Sequence, residues 1–161
     1  MDYKLFKKKT AKMFADLGFQ TPGDHFYKSV NDEILIVFGL QKSNYGEYCY
    51  CEFGYCLKQI SKYLPYPKYN QLNVNCGRIM IGSESRLNYS YYEGSELPQN
   101  LIMILSDKAT AAIQIANKGP DEIKEMYFVQ RKYTFSYILG ADTAFYFGMD
   151  PSEFKYHICL T

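Results

Sequence analysis

Glu33-Ile34-Leu35-Ile36-Val37-Phe38-Gly39-Leu40-Gln41 is the stretch on which the fold turns. A strand sends alternate side chains to opposite faces, so Ile34, Ile36, Phe38 and Leu40 share one face while Leu35 and Val37 share the other. Both faces are apolar along most of the length, which is the pattern of a strand covered on both sides, so this one is expected to lie inside a sheet. Upstream, the turn cluster Thr21-Pro22-Gly23-Asp24 precedes a second extended run at 25–30, joined to the first at Asn31-Asp32 as a hairpin. Downstream, Asn44-Tyr45-Gly46 turns the chain into a third strand at 47–57, with Cys49, Cys51, Phe53 and Tyr55 on one face. Three consecutive antiparallel strands make a meander. A short helix at 58–63 and an irregular crossing loop with Pro65 and Pro67 lead to a fourth strand at 78–81 and a fifth at 87–92.

Helices flank this sheet. Phe6, Met13, Phe14 and Leu17 recur at helical spacing, with Lys4, Lys8 and Lys12 on the opposite side and Gly18 placed as a stop. From Leu97 to Ala116, apolar residues repeat every three or four positions with Lys108 as the one polar member, which predicts a long buried helix. Gly119-Pro120 breaks it and starts another, carrying Ile123, Met126, Tyr127, Tyr137 and Ile138 towards Gly140. Asp150-Pro151-Ser152-Glu153 then reads as the cap of a terminal helix. The expected fold is α+β: an N-terminal amphipathic helix, an antiparallel sheet of four to five strands in a meander, and C-terminal helices packed on one face. Residues 1–161 are read as one domain.

Composition narrows the setting. Hydrophobic residues are 47% and charged residues 22% of the 161, a balance that supports a packed core without staples. A formal net charge of +1 supplies no global field toward nucleic acid or anionic lipid. The longest apolar runs, 34–40 and 101–105, fall far short of the roughly 20 residues that cross a bilayer as a helix. Cys49, Cys51, Cys56, Cys76 and Cys159 are an odd number, and no apolar signal stretch opens the chain, so they read as reduced thiols of a cytoplasmic protein.

The order helix, Gly18-Phe19, strand through His25-Phe26-Tyr27, then 34–40 running into Gln41-Lys42-Ser43 and the aromatic strand after Gly46 resembles domain-of-unknown-function family 4304. The similar part covers about the first 80 residues. The resemblance implies a small bacterial α+β domain. It brings no catalytic residues with it.

Motifs that carry chemistry are sparse. Cys49-x-Cys51 puts two thiols on one strand face, but two ligands do not make a site, and no Cys-x-x-Cys pair exists, so no metal is expected. His25 and His157 lie far apart in sequence, and no Gly-x-Ser-x-Gly elbow surrounds a serine. Asp142, Asp150, Glu153, Asp121 and Glu122 suit loop and capping roles. No phosphate loop or dinucleotide turn occurs, so no cofactor is expected and no catalytic residue is assigned. The run Lys7-Lys8-Lys9 with Lys4 and Lys12 reads as a solvated helix face, with weak nucleic-acid binding as its other reading.

The feature with most weight is tyrosine, 17 of them beside 11 phenylalanines and no tryptophan. Tyrosine offers a broad ring with a polar tip at low entropic cost and is enriched at interfaces. Tyr45, Tyr48, Tyr50, Tyr66, Tyr69 and Tyr91 are therefore the candidate contact surface for another protein. The competing reading packs most of these rings on the sheet. The expectation is a non-enzymatic protein-binding domain, in concrete form an immunity protein that neutralises a toxin, with no membrane contact. The alternative is an enzyme or small-ligand binder with a pocket between sheet and helices, using His25, Gln41, Ser43 or Arg78. Partner identity and oligomeric state are left open by the sequence.

Overall fold

A computed structural model describes residues 1–129 and 141–150. In chain order these form α1 (Tyr3–Asp16), β1 (His25–Ser29), β2 (Ile34–Lys42), β3 (Cys49–Leu57), β4 (Val74–Arg78), α2 (Gln99–Asn117), α3 (Pro120–Lys124) and α4 (Ala141–Tyr146), with single 3-10 turns at Tyr69–Gln71 and Tyr89–Tyr91. The strands make one antiparallel sheet in the order β1-β2-β3-β4. β2 is an interior strand, as its two apolar faces require.

The alternation along β2 divides the molecule. Ile34, Ile36, Phe38 and Leu40 join Cys49, Cys51, Phe53 and Tyr55 in a core closed by α1 and α2, while Leu35 and Val37 join Tyr27 and Cys56 in a smaller cluster on the opposite face. On the helix side Phe14 of α1 sits 4.5 Å from the ring of Phe26 and 4.9 Å from that of Phe38. Leu101, Leu105, Ala109 and Ala112 of α2 complete that core, and Lys108 lays its ammonium 5.6 Å from the Phe53 ring. Fully burying one such Phe or Leu is worth about 1.5–3 kcal/mol, so this layer supplies most of the stability. α1 starts where the Asp2 carboxylate accepts from the Leu5 N–H at 2.8 Å and stops at Gly18, whose φ of 79° is the left-handed conformation glycine adopts freely.

The second face is covered by the crossing segment 58–73. Leu72 packs on the small apolar cluster, Pro67 is buried, and the Tyr27 hydroxyl donates to the Pro67 carbonyl at 3.2 Å. The Asn73 side chain accepts from the Leu57 N–H at 2.8 Å and anchors the far end.

Several expectations are corrected. The fourth strand is Val74–Arg78 rather than 78–81, because the buried alternation is Val74 and Cys76; Ile79 follows as a core residue whose N–H bonds the Cys51 carbonyl at 2.7 Å. The fifth strand at 87–92 reduces to one bridge between Cys49 and Leu87, after which the chain turns so that Tyr89 packs on Tyr3 and Phe6. Residues 58–63 form a turn, with the Ile60 and Ser61 N–H groups sharing the Leu57 carbonyl, instead of a helix. α3 begins at Pro120 as expected, then widens into a π-turn at Glu125–Val129. Its continuation towards Gly140 and the helix from Pro151 lie outside the described residues, and α4 has no counterpart in the sequence reading.

Where β3 meets β4 the register shifts between Glu52 and Gly54, and a Cβ on Gly54 would fall well inside contact distance of the Val74 carbonyl oxygen. That oxygen is backbone and cannot swing away. Gly54→Ala is therefore expected to cost about 2–3 kcal/mol in urea unfolding. Gly39→Ala, whose new methyl meets the edge of the His25 ring at 3.1 Å, is expected to cost less than half as much. Equal midpoints for the two variants would refute this account.

Candidate functional site

Strand register builds the site. His25 of β1 lies opposite Gly39 of β2, Gly39 opposite Glu52 of β3, and Glu52 opposite Arg78 of β4, so one row runs across all four strands on the second face. Gln41 and Tyr50 pair in the next row. Because Gly39 has no side chain, a depression of about 280 Å³ opens between His25 and Glu52, rimmed by Gln41, Lys68, Tyr69 and Asn70.

Glu52 is the one charged residue of β3, and its side chain is only 11% exposed. Its carboxylate accepts from the Arg78 Nε at 3.3 Å, and the Arg78 Nη2 donates to the Gln41 Oε1 at 3.3 Å. The guanidinium carbon of Arg78 lies over Tyr50, 3.6 Å from the ring centroid, Tyr50 meets Tyr48 edge-on at 5.8 Å, and Arg86 sits 5.7 Å over Tyr48. Arg86, Tyr48, Tyr50 and Arg78 thus form a continuous ladder of two adjoining rings with a cation at each end. Burial raises the Glu52 carboxyl above its ordinary range, against the pull of the Arg78 hydrogen bond and charge.

On the other side of Gly39, the His25 Nε2 accepts from the Tyr69 N–H at 3.4 Å, which leaves the proton of the neutral ring on Nδ1. Burial lowers the His25 pKa; Asp24 opposes that shift and Lys68 adds to it. Tyr69 in turn donates its hydroxyl to the Asn75 Oδ1, which also accepts from the Gly77 N–H at 3.0 Å.

Of the sequence candidates, the structure brings His25, Gln41, Arg78, Tyr48, Tyr50 and Tyr69 together. They sit on the face turned away from the helices, so the depression is not between sheet and helices. Ser43 is in the β2–β3 turn, where its Oγ accepts from the Tyr45 N–H at 3.0 Å, and Tyr45 projects from that turn 92% exposed. Tyr66 stands at the far end of the second face, its ring 5.2 Å from Tyr27 and its hydroxyl on the Gln20 Oε1 at 3.4 Å. It borders a separate depression of about 390 Å³ with Lys28 and Lys58. Tyr91 is exposed on the turn whose next residue, Tyr92, accepts from the Met1 ammonium at 2.8 Å. The six tyrosines therefore do not form one patch. Tyr55 is core, bonded through its hydroxyl to that of Tyr127 at 3.2 Å.

Gly39, Glu52, Lys68 and Arg86 were missed by sequence reasoning. Two carried a signal: a glycine inside an otherwise apolar interior strand, and a lone acid in Cys49–Leu57. Cys49, Cys51, Cys56 and Cys76 are buried and unpaired, and burial raises each of them, Cys49 to about 12, so none is a ready thiolate. Among the described residues no three His, Cys, Asp or Glu side chains are grouped to hold a metal ion, and no helix is long and apolar enough to cross a membrane. His157 and Cys159 lie outside the described residues.

A four-strand antiparallel meander with helices on one face and an open polar row on the other defines a small α+β domain. Residues 10–86, which contain the whole sheet and the His25-Gly39-Glu52-Arg78 row, match the family model described as domain of unknown function (DUF4304). No curated protein and no solved structure matches the chain.

The raised Glu52 pKa has a defined consequence. The folded chain holds that proton to higher pH than the unfolded chain, so stability falls as pH rises from the ordinary glutamate value of about 4.3 through the raised one. Glu52→Gln cannot titrate and still accepts from Arg78. Its urea midpoint is expected to gain on that of the unaltered protein across this window and to keep the gain above it; a constant difference would rule the mechanism out.

Proposed function

We propose that this chain is a non-enzymatic protein-binding domain whose contact surface is the Arg86-Tyr48-Tyr50-Arg78 ladder, with Tyr45 at its end. The observation that carries the reading is the use of arginine. The sequence holds three arginines, and both described ones lie against tyrosine rings of this one surface. Arginine and tyrosine dominate binding hot spots because they combine large contact area with directed hydrogen bonds. Arg78 is already held by Glu52, Gln41 and Tyr50, so little side-chain entropy remains to be lost on association.

A concrete form of this reading is a bacterial cytoplasmic immunity protein that holds a toxin inactive. The tagged chain, expressed in its own host, is expected to recover a protein at one-to-one stoichiometry. Tyr50→Ala and Arg78→Ala each weaken that complex by about 30-fold, the equivalent of about 2 kcal/mol, with unaltered circular dichroism, whereas Tyr91→Ala does not. A surface on which Tyr50 and Arg78 can be truncated without loss of affinity is not the contact surface. For the immunity form, the partner expressed alone arrests growth and co-expression restores it; a harmless partner removes that form and leaves the binding.

The convergence of His25, Gln41 and Glu52 around the open floor of Gly39 favours a second reading, a site for a small polar ligand. A thermal-shift screen of small polar compounds would support it only if Gly39→Ala, which fills the floor, abolishes the shift.

A further inference from the structure

We propose that His25 is a pH-sensitive latch: while neutral it holds the crossing segment 58–73 against the second face of the sheet, and on protonation it lets the middle of that segment go. The geometry is specific to one nitrogen. The Tyr69 N–H points at the His25 Nε2, and an imidazolium has no lone pair there to accept it. The ring edge lies over Gly39, 3.1 Å from where a Cβ would stand. Protonation would thus set two N–H groups against each other and place a new charge beside Lys68 of the same segment.

The surroundings determine the sign. From the crossing segment His25 faces Lys68 and the Tyr69 phenol; from its own strand and the turn before it, Tyr27 and Asp24; and across Gly39, Glu52. Asp24 favours the imidazolium, but it is also the ion-pair partner of Lys7 on α1. Burial and Lys68 disfavour it, and the net direction is a lowered pKa when the segment is closed. An open segment returns the ring towards its ordinary value of about 6.5. Closure is therefore complete above that value and weakens as pH falls below it. The remaining ties of the middle of the segment are few: Pro67 on the Tyr27 hydroxyl, Tyr66 on Gln20, and the Tyr69 hydroxyl on Asn75. Release would uncover the apolar cluster of Leu35 and Val37 and move Tyr66 away from Tyr27.

The proposal concerns the free chain and stands whether or not the Arg–Tyr ladder binds a protein. Its test is amide hydrogen exchange by NMR from pH 7.5 to pH 5.5, corrected for intrinsic exchange. Linkage to a group with an open-state pKa of about 6.5 allows Tyr69 protection to fall by up to about tenfold over that range, with Phe38 in β2 unchanged. The fall should begin near the ordinary imidazole value and level off where the His25 ring signals of the same protein titrate, at the lowered value of the closed segment. His25→Gln, which keeps an acceptor that does not titrate, should flatten the response, and His25→Phe should leave Tyr69 weakly protected at every pH. Unchanged Tyr69 protection in the unaltered protein, or the same fall in His25→Gln, would overturn the latch.

Discussion

A strand that is apolar on both faces must be buried on both faces, and β2 imposes that demand on the rest of the molecule. Seven consecutive residues, Ile34 to Leu40, are buried. The helices can satisfy only one side. α1 and α2 lie together over Phe38 and its neighbours, and nothing helical among the described residues joins the Leu35 and Val37 cluster. The other side is left to an irregular segment, and an irregular segment exposes backbone polar groups that each need a partner. The partners of segment 58–73 are accordingly the side chains of the sheet beneath it: Tyr27 for a carbonyl, His25 for an N–H, and Asn75 for a phenol.

What the sequence made legible follows from where periodicity is strong. The opposite faces of β2, the shared face of Cys49, Cys51, Phe53 and Tyr55, and the stripe of α2 are all repeats of two or of three and four residues over a long run, and the structure has them as read, except that Leu97 lies just before α2 and Ala109 rather than Ile104 is buried in its stripe. Periodicity gives out where packing is decided by single contacts. Ile79, Met80 and Ile81 look more strand-like than Val74-Asn75-Cys76-Gly77, yet the latter pair with β3 because Gly54 lets the Val74 backbone approach. Leu87 to Tyr92 has the composition of a strand, but a ring contact between Tyr89 and Tyr3 bends it into a turn.

The site was half legible for a related reason. Residue type marks His25, Gln41 and Arg78 as polar groups in an aromatic and apolar neighbourhood, and that much is local information. Their meeting is a property of register. Only once Gly39 is known to lie between His25 and Glu52 does the row exist, and only once β4 starts at Val74 does Arg78 reach Glu52 and Tyr50. The tyrosines show the same limit from the other direction. Tyr50 and Tyr55 occupy one strand and Tyr48 immediately precedes it, and alternation alone sends Tyr55 into the core while it turns Tyr50 to the second face, where Tyr48 meets it.

The two glycines of the second face explain why it is closed at one end and open at the other. At Gly54 the missing side chain is replaced by protein: the Val74 carbonyl and the Leu72 side chain fill the space a Cβ would take, and the apolar cluster is sealed. At Gly39 only the edge of an imidazole leans over the gap, and the space stays accessible. The residues flanking each gap are matched to this difference. Around Gly54 they are Leu72 and Val37, which gain from exclusion of water; around Gly39 they are His25, Glu52 and Gln41, which would lose hydrogen-bonding capacity if fully enclosed. A larger residue at position 39 would therefore separate His25 from Glu52 and split the His25-Gly39-Glu52-Arg78 row in two.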